Sequence, residues 1–258
     1  MSKSFSNRIG EENINNFGSN MIIVGYRNNQ DIDVYFPKYN WTLKNTFYSQ
    51  FKKGEIKCPY EPRYCEHGYL GEGEYKVSKN GKRTNCFNIW YNMLNRCYNN
   101  NFHELEPTYK DCEVEKYLLN FQNFAKWYEE NYYKVEGEIM CLDKDILIKG
   151  NKLYSRKTCI FVPQNINKIF TKRQNNRGKN PIGINDNGNG FQARCNNGKG
   201  NIINLGTYST QEEAFQVYKE YKERVIKETI DSYKGIIPEP HYSRLREAMY
   251  NYEVDIDD

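Results

Sequence analysis

Two aspartates, Asp143 and Asp145, stand on either side of Lys144 in the stretch CLDKDILIKGNKLYSRKTCIFVPQNIN, Cys141 to Asn167. Residues two apart on an extended segment share a face. The two carboxylates can therefore act together as hard oxygen ligands, and Asp145 can also serve as a weak base. Lys144 is a poor base, because an exposed ammonium has a reference pKa near ~10.4 and offers few base equivalents near pH 7. A fixed cation is better suited to a phosphate contact. His103 is the only histidine of the central region, and nothing in the sequence brings it to this stretch. Cys58, Cys65 and His67 are zinc-type ligands without an evident fourth, and no C-x2-C pair occurs, so no zinc is expected.

A second group of residues suits recognition. PIGIN, GFQARC and NIINLG, between Pro181 and Gly206, read as three short strands separated by turns of Gly and Asn. Alternation puts Phe191 and Ala193 on one face with Gln192 and Arg194 on the other; Ile203 and Leu205 point inward, and Asn204 and Asn185 outward. Arginine pairs bidentately with guanine, Asn and Gln pair with adenine, and a sheet can enter a major groove. Asn185, Gln192, Arg194 and Asn204 are therefore a candidate DNA-reading face. The bland alternative is a solvated sheet face. Charge argues against it. From Asn165 to Thr210 there are seven basic residues (Lys168, Lys172, Arg173, Arg177, Lys179, Arg194, Lys199) against Asp186 alone, in a chain whose net charge is only +4. Lys172, Arg173, Arg177 and Lys179 form a basic linker suited to phosphate, while Glu253, Asp255, Asp257 and Asp258 make an acidic tail.

The elements that must position these groups predict an α+β chain. MIIVGY (21–26) and DIDVYF (31–36) read as strands joined across Arg27–Gln30, and Trp41–Phe51 as a short helical or coiled segment. Prolines and glycines between Lys57 and Gly73 mark the end of a small β-rich module, residues 1–73. Asn80-Gly81 signals a hairpin. A helix over Phe87–Tyr98 carries Ile89, Trp90, Met93, Leu94 and Cys97 on one stripe. A second, over about Lys116–Tyr128, turns Leu118, Phe121, Phe124, Ala125 and Tyr128 inward, and both are expected to flank the Cys141–Asn167 stretch within a central domain, 74–170. That stretch reads as a hairpin, a loop, a short strand and the start of a helix. After the linker, 171–180, a C-terminal domain covers 181–258. Its three-stranded sheet is followed by a helix from Gln211 to about Ile230. Ser209 or Thr210 caps that helix, Glu212 and Glu213 lie in its first turn, and Ala214, Val217, Tyr218, Tyr221 and Val225 form its buried face. A last helix is expected over Arg244–Val254.

IWYNMLNRCYN, PTYKDCEV, LNFQNFAKWY and LDKD…GNKLYSRKTCIFVPQNIN, in that order, resemble the central region of phage HNH-type proteins, which belong to the His-Me finger (ββα-metal) nucleases. The similarity covers about Phe87 to Phe170. It implies a divalent cation, Mg²⁺, that stabilises phosphorane charge, and a general base that activates water. In that family the first strand ends in Asp-His, where the Asp helps hold the metal and the His activates water; a helix Asn or His completes the site. Position by position, Asp143 matches the metal Asp and Asn167 the helix ligand. Lys144 stands where the His would be, and Thr158 where an Asn usually braces the loop. GI…GFQARC…INLGTYSTQEEAFQVYKEYKE resembles the ethylene-response-factor (Apetala-type) DNA-binding domain carried by phage and mobile-element endonucleases. That resemblance implies base reading by the sheet with phosphate contacts nearby, though sheet arginines are fewer here than in the plant members.

Bulk properties narrow the classes. Hydrophobic content is 38% with 23 tyrosines, so much of the apolar surface is aromatic with a polar tip. No apolar run approaches the ~18 residues of a membrane span, and no signal-peptide core is evident, so the host cytoplasm is the expected compartment, with no membrane partner. The eight cysteines are then expected as thiols. The leading expectation is a phage or mobile-element protein of HNH ancestry that binds double-stranded DNA, its cleavage weakened or lost because Lys144 replaces the general base, with no small-molecule substrate. One alternative is a working Mg²⁺-dependent nickase or homing-type endonuclease using Asp143 and Asn167 for metal, with Lys144 and Asp145 as its catalytic candidates. Another is an inhibitor or regulator that docks on a host defence protein complex, since Tyr is common at interfaces.

Overall fold

The computed structural model describes residues 8–171 and 180–256. The chain is α+β, and by internal contacts it divides into two compact units, Met1–Glu129 and Glu130–Asp258.

The first unit begins with an antiparallel meander, β1 (Glu12–Ile14), β2 (Asn20–Asn28), β3 (Asp31–Phe36) and β4 (Trp41–Thr46), ordered as in the sequence. Alternation along β2 and β3 buries Met21, Ile23, Ile32, Val34 and Phe36, which pack with Phe51, Ile56 and Cys58. The expectation of a helical or coiled 41–51 is corrected: β4 pairs with β3, and only Tyr48–Lys52 (α1) is helical. Asn45 explains the weak pattern. It takes a left-handed conformation (φ 56°) and donates its N–H to Asp33 Oδ1 at 3.0 Å, which kinks the strand and breaks its alternation.

The Asn80-Gly81 turn joins β5 (Ser78–Lys79) to β6 (Lys82–Arg83), with φ positive at both residues as a primed hairpin turn requires. Thr84 caps α2 (Asn85–Tyr98) by accepting from Phe87 N, and Phe87, Trp90, Met93, Leu94 and Cys97 are buried. Trp90 Nε1 donates to Leu118 O at 2.8 Å. After α3 (Asn100–Leu105) and β7 (Glu113–Val114), the expected second helix is broken at Asn120. A 3-10 turn, Lys116–Leu119, precedes it and α4 (Phe121–Asn131) follows. Asn120 is extended and its Oδ1 accepts from Gln122 N, so this side chain stops one helix and starts the next. Trp127, rather than Tyr128, is the last buried aromatic of α4.

The second unit contains the Cys141–Asn167 stretch. β8 (Met140–Asp143) pairs antiparallel with β10 (Ile160–Pro163), and Asp143 lies opposite Ile160. A long loop holding β9 (Leu153–Tyr154) joins them, and α5 (Gln164–Ile169) follows. β11 (Ile184–Asp186), β12 (Phe191–Asn196) and β13 (Ile202–Tyr208) form an antiparallel sheet in that order. α6 (Gln211–Ser232) packs on it, started by Thr210 in a capping box with Glu213. α7 spans His241–Tyr250 rather than Arg244–Val254, beginning directly after Pro240. Hairpin, sheet and helices share one core: Ile160, Val162 and Ile166 cluster with Ile184, Ala193, Cys195, Tyr218 and Leu245. The β8–β10 hairpin and the β11–β13 sheet are thus joined by burial of common apolar surface.

Candidate functional site

The candidate site is built around the end of β8. Asp143 Oδ1 accepts from Asp145 N and Ile146 N, both at 2.8 Å, and this turn ends the strand. The chain leaves extended geometry there, so simple alternation no longer orients Asp145. The two carboxylates still interact. Burial, and then the charge of Asp145, push the Asp143 carboxyl up to about 6, against the lowering effect of its two N–H donors.

Lys144, read from the sequence as a phosphate contact, is buried. Its side chain is only 8% exposed, its Nζ lies 3.3 Å from Asp145 Oδ2, and it sits 5.9 Å from the centroid of the Tyr154 ring. Asn167, on α5, is half-buried, and its side chain makes no hydrogen bond among the described residues.

The loop between the strands is held by its own polar side chains. Thr158 Oγ1 donates to Leu153 O at 2.8 Å, accepts from Ser155 N at 3.3 Å and lies 2.8 Å from Ser155 Oγ. A residue not singled out from the sequence, Asn151, donates from Nδ2 to Lys144 O and to Leu153 O, each at 2.7 Å. It ties the turn after β8 to β9. The signal available was the Gly150-Asn151 pair, a turn sequence inside a long loop.

Oxygen donors such as Asp143, Asp145 and Asn167 suit a hard cation in kind. Both carboxylates are engaged within the protein. Asp143 Oδ1 is taken by two backbone donors, and Asp145 faces the ammonium of Lys144. Among the described residues, no three His, Cys, Asp or Glu side chains are grouped to hold a metal ion. His103 Nε2 lies 2.8 Å from Arg96 O in the first unit. His67 Nδ1 lies 2.8 Å from Cys65 O and stacks on Tyr98 at 3.8 Å, while Cys58 is buried in the meander core. All eight cysteines lie among the described residues, and no disulfide joins any of them.

On the sheet, Ile184, Ala193 and Cys195 face the core, and Asn185, Arg194 and Asn204 are exposed, with Gln192 half-buried. Cross-strand register places Asn185 beside Gln192 and Gln192 beside Thr207, then Arg194 beside Asn204. A bulge between these rows adds Leu205 to β13, with Gly206 at φ 124°. It adjusts the parity so that Asn204 and Thr207, three residues apart, both belong to the outer face. Asn204 Oδ1 accepts from Gly206 N at 3.2 Å, and Arg194 makes no ion pair among the described residues. Ile202, 61% exposed and opposite Asn196, extends this face and was not anticipated. Lys172, Arg173, Arg177 and Lys179 lie outside the described residues.

No protein-family model, curated protein or solved structure matches this chain. Among the described residues, no helix is long and apolar enough to cross a membrane.

Proposed function

We propose that this chain binds double-stranded DNA through the outer face of β11–β13, and that the finger of HNH ancestry serves as its scaffold without cutting. One observation carries the reading. Asn185, Gln192, Arg194 and Asn204 occupy adjacent positions on the face of a sheet whose opposite side is buried against α6. Those side-chain types match the hydrogen-bonding edges of adenine and guanine in a major groove. The finger's part is structural, because a buried lysine and its carboxylate partner stand where a base and a cation would be needed. Basic residues of the linker add phosphate affinity that does not depend on sequence.

The test is fluorescence anisotropy on a labelled duplex pool, comparing the natural chain with an Arg194→Ala, Gln192→Ala double variant. Binding several-fold weaker in the variant supports the reading; unchanged affinity moves the interface elsewhere. Supercoiled plasmid with Mg²⁺ or Mn²⁺, beside an Asp143→Ala control, tests cutting. Nicking that depends on metal and on Asp143 would overturn the scaffold role and establish a nickase. Exposed Ile202 on the same face favours a second reading, docking on a host protein. Capture of a protein partner without DNA, together with no duplex binding, would select it.

A further inference from the structure

The finger loop and α7 enclose a cleft of about 540 Å³ within the second unit. Lys149 and Lys157 reach it from the loop and Arg244 from α7. Arg244 donates to the Lys157 carbonyl at 3.1 Å, which fixes its guanidinium at the rim. The acidic segment after α7 is already seated there. Lys149 Nζ donates to Glu253 O at 2.7 Å and to Asp255 Oδ2 at 2.5 Å, and stands 4.9 Å from the centroid of the Tyr252 ring. Between them Val254 is buried, and its N–H donates to Glu223 Oε1 at 3.0 Å, so the segment is anchored with Asp255 laid on Lys149. The anchor is firm, but the ion pair is open to solvent, with Asp255 59% and Lys149 31% exposed. An exposed pair of this kind is exchanged for another anion at little cost.

We propose that this cleft is a binding site for the phosphate backbone of a nucleic acid, which the Glu253–Asp255 segment occupies until the backbone displaces it. The choice of ligand rests on the DNA-binding reading above. Three cations converge on a space whose volume falls in the range of ligand sites, roughly 300–1,000 Å³. The Asp255 carboxylate sits where a phosphate oxygen would sit, accepting from the same ammonium. Glu247 of α7 also lines the cleft, so its charge is balanced while the segment is seated and becomes more positive when it leaves. The cleft would add affinity that is independent of sequence and sensitive to salt, beside a sheet that reads bases.

Anisotropy of the full chain on a short labelled duplex tests this with Asp255→Asn, Lys157→Gln and Arg194→Ala, together with hydrogen exchange of the Tyr252–Ile256 peptide. Asp255→Asn is expected to tighten binding about two- to five-fold. Lys157→Gln is expected to weaken it by a similar factor and lower the salt slope by about one. Saturating duplex should speed exchange of the peptide in the natural chain. If both cleft variants bind as the natural chain does and exchange is unmoved while Arg194→Ala loses affinity, the cleft proposal falls and the sheet reading stands. If the cleft variants respond and Arg194→Ala does not, the cleft stands and the sheet reading falls. Absence of duplex binding in every protein overturns both, and binding that appears only in Asp255→Asn supports the cleft.

Discussion

Lys144 Nζ lies 3.3 Å from Asp145 Oδ2, yet the lysine side chain is 8% exposed and the aspartate 46%. The pair is therefore lopsided. Asp145 keeps water as an alternative partner, so the ion pair itself is worth no more than ~1 kcal/mol. The larger contribution of Lys144 is its buried stem and the positive charge it brings to a site with two carboxylates. Lys144→Ala should lower stability by about 1–3 kcal/mol, and Asp145→Asn by less than ~1 kcal/mol, in urea unfolding near neutral pH. Equal losses from the two variants would show the ion pair, not the packing, to be dominant.

Asp143 provides a pH signature. Its carboxyl is held up at about 6 by burial and by Asp145, above the ~3.9 of an unfolded aspartate. A raised acid holds its proton more tightly in the folded state, so it favours folding at low pH. That advantage is lost as pH rises from about 4 to about 6, and stability stays lower above that window. Asp143→Asn keeps an oxygen for Asp145 N and Ile146 N while removing the charge. The variant should lack this component of the slope and be more stable than the natural chain at pH 7 by about 1–3 kcal/mol. Thermal unfolding across the window checks it; identical slopes for the two proteins would mean that Asp143 ionises freely.

Asn151 should matter to the loop more than to the fold. Its Nδ2 makes the two 2.7 Å bonds that join the turn after β8 to β9. Asn151→Ala removes this donor from Lys144 O and leaves Leu153 O with Thr158 Oγ1 alone, at a cost of about 1–3 kcal/mol. Hydrogen exchange should quicken between Lys144 and Thr158 while the β12 amides keep their protection. Uniform acceleration throughout the second unit would instead make Asn151 part of the global folding unit.

Much of this architecture was legible because short-range rules governed it. Strict alternation gave β3, Asn-Gly gave the β5–β6 hairpin, and Ser209 or Thr210 ahead of Glu212 and Glu213 gave the start of α6. The misses arose where one polar side chain rewrote the backbone: Asn45 in β4, Asn120 between the 3-10 turn and α4, and Asp143 at the turn that follows β8. The burial of Lys144 was illegible for another reason. An ammonium enters a low-dielectric site only when tertiary structure supplies a partner, and neither Tyr154 packing nor the orientation of Asp145 follows from spacing. The core shared by the β8–β10 hairpin and the β11–β13 sheet was hidden too, since its contacts are far apart in sequence.

Arg194 separates base reading from simple charge. It stands beside Asn204 in register, is exposed, and has no ion pair among the described residues, so its guanidinium is open to a ligand. If it pairs bidentately with a guanine edge, Arg194→Ala costs about 1–3 kcal/mol of affinity at that base pair and relaxes the sequence preference there. Arg194→Lys should then rescue little, because an ammonium is a point charge without the planar fork. If Arg194 only contacts a phosphate, lysine substitutes well, sequence preference is unaltered, and alanine lowers the salt slope by about one. Selection of preferred sites from a random duplex pool with the three proteins, followed by salt titration on the preferred site, distinguishes these outcomes. Rescue by lysine with an unchanged preference would reassign the sheet from reading bases to gripping the backbone. Sequence choice would then have to come from the shape and deformability of the duplex rather than from Asn185, Gln192 and Arg194.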